Sequence, residues 1–241
     1  MKAKLKFDFY RSLLVSLFLF SVSTSHAGLL TNGFSASYEV YHKGIYLGTT
    51  VRHLKKQDEK TWDYRSHTAP EGIVKLFVSD IIDESSTIKF SNNQLQPVTY
   101  KYHQHGGKKE KIFQLDFDWG AKQLSNSNTR KNYPIENGAH DLLSFQLQLM
   151  YDLQAGKKTV SYVIADKKRV DTYSLNFEKT EDVETPMRTF SAIKLVSNKI
   201  RDKMQFIIWC APKLNYLPIK VMKIEEDGDE SVLSLKSISI K

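Results

Sequence analysis

The sequence predicts a mainly β protein, in which a strongly curved antiparallel sheet forms a roll or an incomplete barrel around one main helix. Three observations support this prediction. Apolar and polar residues alternate with the period of a strand through most of the chain. Turn residues recur about every 10 to 15 residues, as in a meandering sheet. One segment, residues 141–155, instead has the period of an amphipathic helix.

The clearest strands form hairpins. Residues 35–41 alternate, with Ala36, Tyr38 and Val40 on one face, and a Gly-containing turn separates them from residues 45–54. Residues 111–119 place apolar side chains on one face and polar ones on the other, which is typical of a sheet with one wet face. Further strands are predicted over residues 61–68, 81–90, 98–104, 159–164, 170–179, 190–196, 205–210, 219–225 and 232–240.

The predicted helix has recognisable ends, with Asp141 as its N-cap and Gly156 at the C′ position. Its apolar stripe needs a partner, and the concave face of the sheet is the natural one. A second, shorter helix is predicted over residues 72–78. The polar stretch 120–138 is predicted to be a mobile loop.

The N-terminus has the anatomy of a secretory signal peptide. A positive segment containing Lys2, Lys4, Lys6 and Arg11 precedes an apolar run over residues 13–22, and small residues precede a cleavage site after Ala27. The run is shorter than the roughly 20 residues that a membrane span requires. We therefore expect a periplasmic protein with a signal peptide over residues 1–27, a single domain over residues 28–241 and no stable membrane span after cleavage. Removing four basic residues and one acidic residue changes the net charge from +8 to +5.

Composition excludes several classes of protein. With 41% hydrophobic and 26% charged residues, the chain is neither disordered nor collagen-like. Its one cysteine, Cys210, excludes a disulfide scaffold and a cysteine-based zinc cluster, and lies in an apolar run typical of a core. The chain has no nucleophile elbow, phosphate-binding loop or dinucleotide fingerprint. We expect no cofactor and no nucleic-acid partner.

A series of motifs resembles a known family. The chain reads Tyr-x-Val-x-x-x-Gly-Ile-x-Leu-Gly from Tyr38, and the resemblance continues through residues 72–84 and 97–119, Asp141-Leu142-Leu143-Ser144, residues 185–190 and Leu217-Pro218-Ile219. In this order the motifs resemble an uncharacterised exported bacterial family, domain-of-unknown-function family 3108 (DUF3108). The resemblance covers nearly the whole mature chain. It implies a periplasmic, β-rich single domain, and it brings no established catalytic residues.

His103 and His105 are the only compact pair of histidines. Side chains two residues apart on a strand share a face, so both imidazoles could bind one ion. Two ligands are too few, and lysines nearby would repel a cation. We therefore expect no metal, and a pair at an exposed strand end. The lysines are Lys101, Lys108, Lys109 and Lys111.

Paired carboxylates are the only catalytic candidates: Asp80, Asp83, Asp116 and Asp118. Two carboxyl groups about 5 to 9 Å apart can hydrolyse a glycosidic bond. A solvated sheet face with strand-flanking turns is the alternative that the pattern favours.

The aromatic strands carry the candidates for ligand binding, which are Tyr38, Trp62, Tyr64, Tyr100, Tyr102 and Trp119. Most such side chains form a core, but a curved sheet lined by aromatics can also leave a cavity for an apolar ligand. Lysine clusters at the predicted turns could contact anionic envelope material. The sequence favours a non-enzymatic binding or envelope-maintenance protein for a lipid, glycan or envelope-protein ligand. An envelope polysaccharide hydrolase and a structural partner of an envelope complex are the alternatives.

Overall fold

A computed structural model describes residues 32–91, 94–198 and 204–240. The predicted signal peptide and its cleavage site after Ala27 lie outside these residues. Within them, every helix is too short or too polar to cross a lipid bilayer.

The described residues form one sheet of fifteen strands. The strands are β1 Phe34–His42, β2 Ile45–Lys56, β3 Thr61–Pro70, β4 Ile81–Ser91, β5 Gln94–His105, β6 Lys111–Asp118, β7 Gln123–Asn126, β8 Lys131–Pro134, β9 Ala139–His140, β10 Thr159–Ala165, β11 Val170–Val183, β12 Phe190–Ser197, β13 Gln205–Ala211, β14 Leu217–Ile224 and β15 Glu230–Ile240.

The strand order shows how the sheet curves. It runs from β8 back to β1, crosses to β15, and continues back to β9. Neighbouring strands are antiparallel except β9 and β10, which are parallel. The two edge strands, β8 and β9, are separated in sequence only by residues 135–138. Because so short a segment joins them, the sheet must curl until its two edges approach each other.

One α-helix, α1 (Ser144–Gln154), lies inside this curl. Gln146 on the helix accepts a hydrogen bond from Arg52 of β2, and Gln148 accepts one from the backbone N–H of Leu95 in β5. Asp152 accepts one from the hydroxyl of Tyr162 in β10. Strands far apart in the sheet therefore contact the same helix. This confirms a curved antiparallel sheet with one main helix on its concave face.

The start of the helix differs slightly from the prediction. It begins at Ser144, yet the Asp141 carboxylate accepts the backbone N–H groups of Leu143 and Ser144, each at 2.8 Å. Asp141 therefore satisfies the first amide groups of the helix from just outside it. The shorter helix predicted over residues 72–78 is a 3-10 helix over Gly72–Leu76.

The prediction of a mobile loop over residues 120–138 is wrong. β7 and β8 form a hairpin there, in which Leu124 pairs with Tyr133. Leu124 is fully buried, and the amide of Asn126 donates to the backbone of the turn after β10. These strands have four residues each and mostly polar side chains, so their alternation is too short to distinguish them from a loop.

Candidate functional site

A cavity of about 230 Å³ remains between α1 and the concave face of the sheet. Its walls are mainly apolar and come from the helix and from strands β10 to β15. The apolar lining includes Leu142, Leu143, Phe145, Leu149, Tyr162, Ile164, Tyr173, Leu175, Phe206, Ile208, Val221 and Leu233.

The polar end of this cavity is formed by Arg52 and Glu84. Thr50 and Arg52 both occupy inward-facing positions of β2. Glu84 in β4 pairs directly with Ser66, which is an inward-facing residue of β3. Strand alternation therefore directs both charged side chains inward. A guanidinium and a carboxyl group therefore lie inside the curled sheet, at the edge of the apolar walls of the cavity.

Arg52 is a buried cation, and only 7% of its surface is exposed. Its Nη1 donates to Gln146 Oε1 at 2.6 Å, and the guanidinium lies 5.0 Å from the centroid of the Tyr38 ring. Its Nε has no hydrogen-bond partner. Within the described part of the chain, Arg52 forms no ion pair with a carboxylate. A buried charge without a hydrogen-bonded counter-ion is costly, so this arrangement favours an anion as the partner of the free Nε–H.

Glu84 accepts a hydrogen bond from the Tyr100 hydroxyl. Burial raises the pKa of Glu84, and this effect outweighs the Tyr100 hydrogen bond and the Arg52 charge, which act to lower it. Glu84 is therefore held by Tyr100 and lies within the electrostatic influence of Arg52.

A second groove, of about 320 Å³, adjoins the cavity at Arg52 and Glu84. The two spaces also share Phe206, Val221 and Leu233. The groove differs in its lining, which includes hydroxyl groups and a lysine: Thr50, Ser66, Thr68, Ser231 and Lys223. The protein therefore presents an apolar chamber beside a groove of more mixed lining, with Arg52 and Glu84 common to both.

The aromatic residues that were predicted to bind a ligand do not line the cavity or the groove. Tyr38 and Tyr64 are buried around Arg52, and Tyr100 bonds to Glu84. Trp62, Tyr102 and Trp119 belong to the main hydrophobic core or pack against it. The signal that sequence reasoning missed was the inward position of Arg52 and Glu84 in the strand alternation.

The four predicted catalytic carboxylates do not meet at the cavity. Asp83 lies on the outer face of β4 beside two histidines, and Asp116 and Asp118 are exposed on β6. Asp80 accepts a hydrogen bond from Gln104 and packs so closely on Gly107 that a Cβ there would lie 2.2 Å from its Oδ1. Among the described residues, Glu84 is the carboxylate that lines the cavity.

His103 and His105 lie on the outer face of β5, as the alternation predicted. The structure adds Asp83, which the sequence analysis had not placed with them. One ligand atom from each of the three residues lies within 4.8 Å of the other two.

Comparison with known proteins identifies the family. The model of the family described as protein of unknown function (DUF3108) matches residues 37–235. The chain belongs to the DUF3108 family. No curated protein sequence matches the chain.

Comparison with solved structures finds similarity to this DUF3108 protein at low sequence identity. A β-barrel-like protein of the domain of unknown function DUF1849 from Brucella abortus is 11% identical, with a TM-score of 0.57, over 87% of this chain and 98% of that chain. A candidate lipoprotein from Parabacteroides distasonis is 13% identical, with a TM-score of 0.37, over 87% of this chain and 96% of that chain. A candidate exported protein with a YmcC-like fold from Bacteroides fragilis is 12% identical, with a TM-score of 0.37, over 86% of this chain and 96% of that chain. At this identity, the first similarity supports the β-barrel-like fold alone.

Proposed function

We propose that this protein is exported to the periplasm, where it binds an amphiphilic acid, such as a fatty acid of the cell envelope, without converting it chemically. The observation that carries the proposal is Arg52, a buried guanidinium with an unpartnered Nε at the end of an apolar cavity. An acid head group would provide the counter-ion, and its hydrocarbon part would occupy the chamber.

The size and chemistry of the cavity fit the apolar part of such a ligand. A buried apolar cavity of about 150 Å³ is large enough to bind benzene. The chamber is larger, about 230 Å³, and continues into the groove of about 320 Å³. Ligand pockets generally span about 300 to 1,000 Å³ and combine apolar walls with a few polar groups. The two adjoining spaces have this composition.

The polar junction fits a carboxylate better than a neutral head group. A carboxylate can accept the free Nε–H of Arg52 in a charge-assisted hydrogen bond. Lys223 also lines the adjoining groove, where its Nζ is paired with Glu225 Oε1, so Arg52 is the cation that we expect to hold the acid. A long-chain alcohol would fill the same apolar space without supplying a negative charge.

Binding of a fluorescent fatty acid, cis-parinaric acid, to delipidated protein tests the proposal, with a long-chain alcohol as competitor. Arg52→Gln is expected to weaken binding of the acid about 10- to 100-fold, because a hydrogen bond to a charged group contributes about 1.5 to 3 kcal/mol. Competition by the alcohol should change little. Arg65→Gln is the matched control, because Arg65 is exposed on the outer face of the neighbouring strand and pairs with Asp63.

A second variant tests where the ligand lies. Val221→Trp should fill space shared by the cavity and the groove, and should weaken binding of acid and alcohol alike. Acid binding that is unaffected by both Arg52→Gln and Val221→Trp would refute the proposed site. Native mass spectrometry of protein purified from periplasm should show a copurified acid, and an absence of any bound lipid would count against the proposal.

The periplasmic location rests on the predicted signal peptide. The protein recovered from a periplasmic fraction should have the mass of a chain that begins at Gly28, and limited proteolysis should leave residues 28–241 as one resistant unit. A chain that retains residues 1–27 in the cytoplasm would contradict this part of the proposal.

A further inference from the structure

The outer face of β3, β4 and β5 carries a cluster of imidazoles around one carboxylate. Strand register places His67 directly opposite Asp83, and Asp83 directly opposite His103. His105 lies two residues further along the same face of β5. Three adjacent strands thus bring metal-ligand side chains to one place, on the opposite side of the sheet from the cavity.

The distances within this cluster are short. Asp83 Oδ1 lies 2.7 Å from His67 Nδ1, and Asp83 Oδ2 lies 2.8 Å from His105 Nε2. The rings of His103 and His105 are 4.6 Å apart between centroids. One ligand atom each from Asp83, His103 and His105 lies within 4.8 Å of the other two. Three potential ligands therefore converge on a single point.

Glu110 provides a further element of a metal site. Its Oε1 lies 2.6 Å from His103 Nε2. Histidines that bind metals commonly bond their second ring nitrogen to a carboxylate, which fixes the orientation of the ring. With Nε2 held by Glu110, His103 has Nδ1 available for an ion.

We propose that Asp83, His103 and His105 bind one divalent transition ion of the zinc type, while His67, which bonds to Asp83, orients that carboxylate. Neutral imidazoles and a carboxylate form the donor set that zinc accepts, in tetrahedral geometry with bonds of about 2.0 to 2.2 Å. Such bonds put the ligand atoms roughly 3.3 Å apart. Partly exposed side chains can move the remaining distance, up to about 1.5 Å, by small rotations.

Four lysines near the two histidines argued against a metal in the sequence, but their positions in the structure are compatible with a bound cation. Lys101, Lys108, Lys109 and Lys111 are all exposed, and the Nζ of Lys111 donates to Gln104 Oε1. The charge of exposed groups is screened by water and salt. The added carboxylates of Asp83 and Glu110 also supply negative charge that the sequence analysis had not placed beside the two histidines.

Titration of the mature chain with zinc chloride tests this site. The protein must carry no histidine tag, and calorimetry should show one ion bound per chain. Asp83→Asn and His105→Gln should each weaken zinc binding at least tenfold. His42→Gln is the matched control, because His42 lies at the end of β1, away from the three strands of the cluster, and its Nδ1 is 3.0 Å from Ser231 Oγ. It should leave the affinity unchanged.

Cobalt provides a second measurement with its own readout. Cobalt(II) in the same site should give the intense visible absorption of a tetrahedral complex, and this absorption should be lost in Asp83→Asn. Circular dichroism of the apo variants should match that of the parent chain, because the changed side chains are on the surface. The proposal is overturned if no ion binds, if the two variants bind zinc as well as the parent, or if the His42 control loses as much affinity as they do.

Discussion

His140 is a buried imidazole on the edge strand β9. Only 1% of its surface is exposed, its ring packs edge-on against Tyr162, and its Nδ1 has no hydrogen-bond partner. Burial lowers the pKa of His140 to about 4, although the charge of Asp152 acts to raise it. The unfolded chain binds a proton near the ordinary pKa of about 6.5. Unfolding therefore takes up a proton between these two values, and stability falls as the pH falls through this window.

Replacing His140 should flatten the pH dependence of stability. Between about pH 7 and pH 5 the parent chain should lose about 2 kcal/mol more free energy of unfolding than His140→Asn, because Asn binds no proton. Urea unfolding at a series of pH values measures this difference. The comparison cancels the titration of other groups common to both chains. Parallel profiles for the two proteins would show that His140 is not the group responsible.

Asp141 connects the start of α1 to the sheet. Besides the amide groups of Leu143 and Ser144, its carboxylate accepts the hydroxyl of Ser86 in β4 at 2.6 Å. The Ser144 hydroxyl in turn accepts the backbone N–H of Asp141. All of these groups are buried, so removal of the carboxylate would leave several donors without a partner.

Asp141→Ala is expected to lower the free energy of unfolding by about 3 kcal/mol, as measured by urea denaturation. Ser86→Ala removes one of the same hydrogen bonds and leaves the helix amide groups satisfied, so its cost should be about 1 kcal/mol. Equal effects of the two variants would mean that the bonds to the helix amides contribute nothing to stability.

Sequence pattern predicted the elements better than the site. Strands such as β1 and β6 alternate over eight or nine residues, and this period alone identifies their inner face. The same alternation placed Arg52 inward, yet its significance depends on Gln146 and on apolar residues more than a hundred positions away. No local sequence pattern predicts which distant strands a helix will contact. The hairpin of β7 and β8 was missed because its strands are short and polar and are held together mainly by backbone pairing with each other.

The metal-ligand cluster illustrates the same limit. The spacing of His103 and His105 on one strand was visible in the sequence, but the register that brings Asp83 opposite His103 includes a shift between Thr87 and Ile88 that no local pattern predicts. A shift of one residue in that register would have turned Asp83 away from both imidazoles.

The whole molecule has a seam where the two ends of the described chain meet. β1 pairs with β15, and Phe34 is directly opposite Ile240. Every other neighbouring pair in the sheet joins strands that are consecutive in sequence. The seam is therefore the contact of longest sequence separation, and it lies in the middle of the sheet, away from its edges.

This topology makes the chain well suited to circular permutation. A short linker from Ile240 to Phe34, with new ends in the exposed turn at Glu136 and Asn137, would leave a chain in which each strand pairs with the next from β9 to β8. Its contact order would fall, so it should refold faster than the parent while keeping the same fatty-acid affinity. Stopped-flow refolding measures the rate. In the natural order, the two halves of the sheet cannot be joined until β15 has been synthesised.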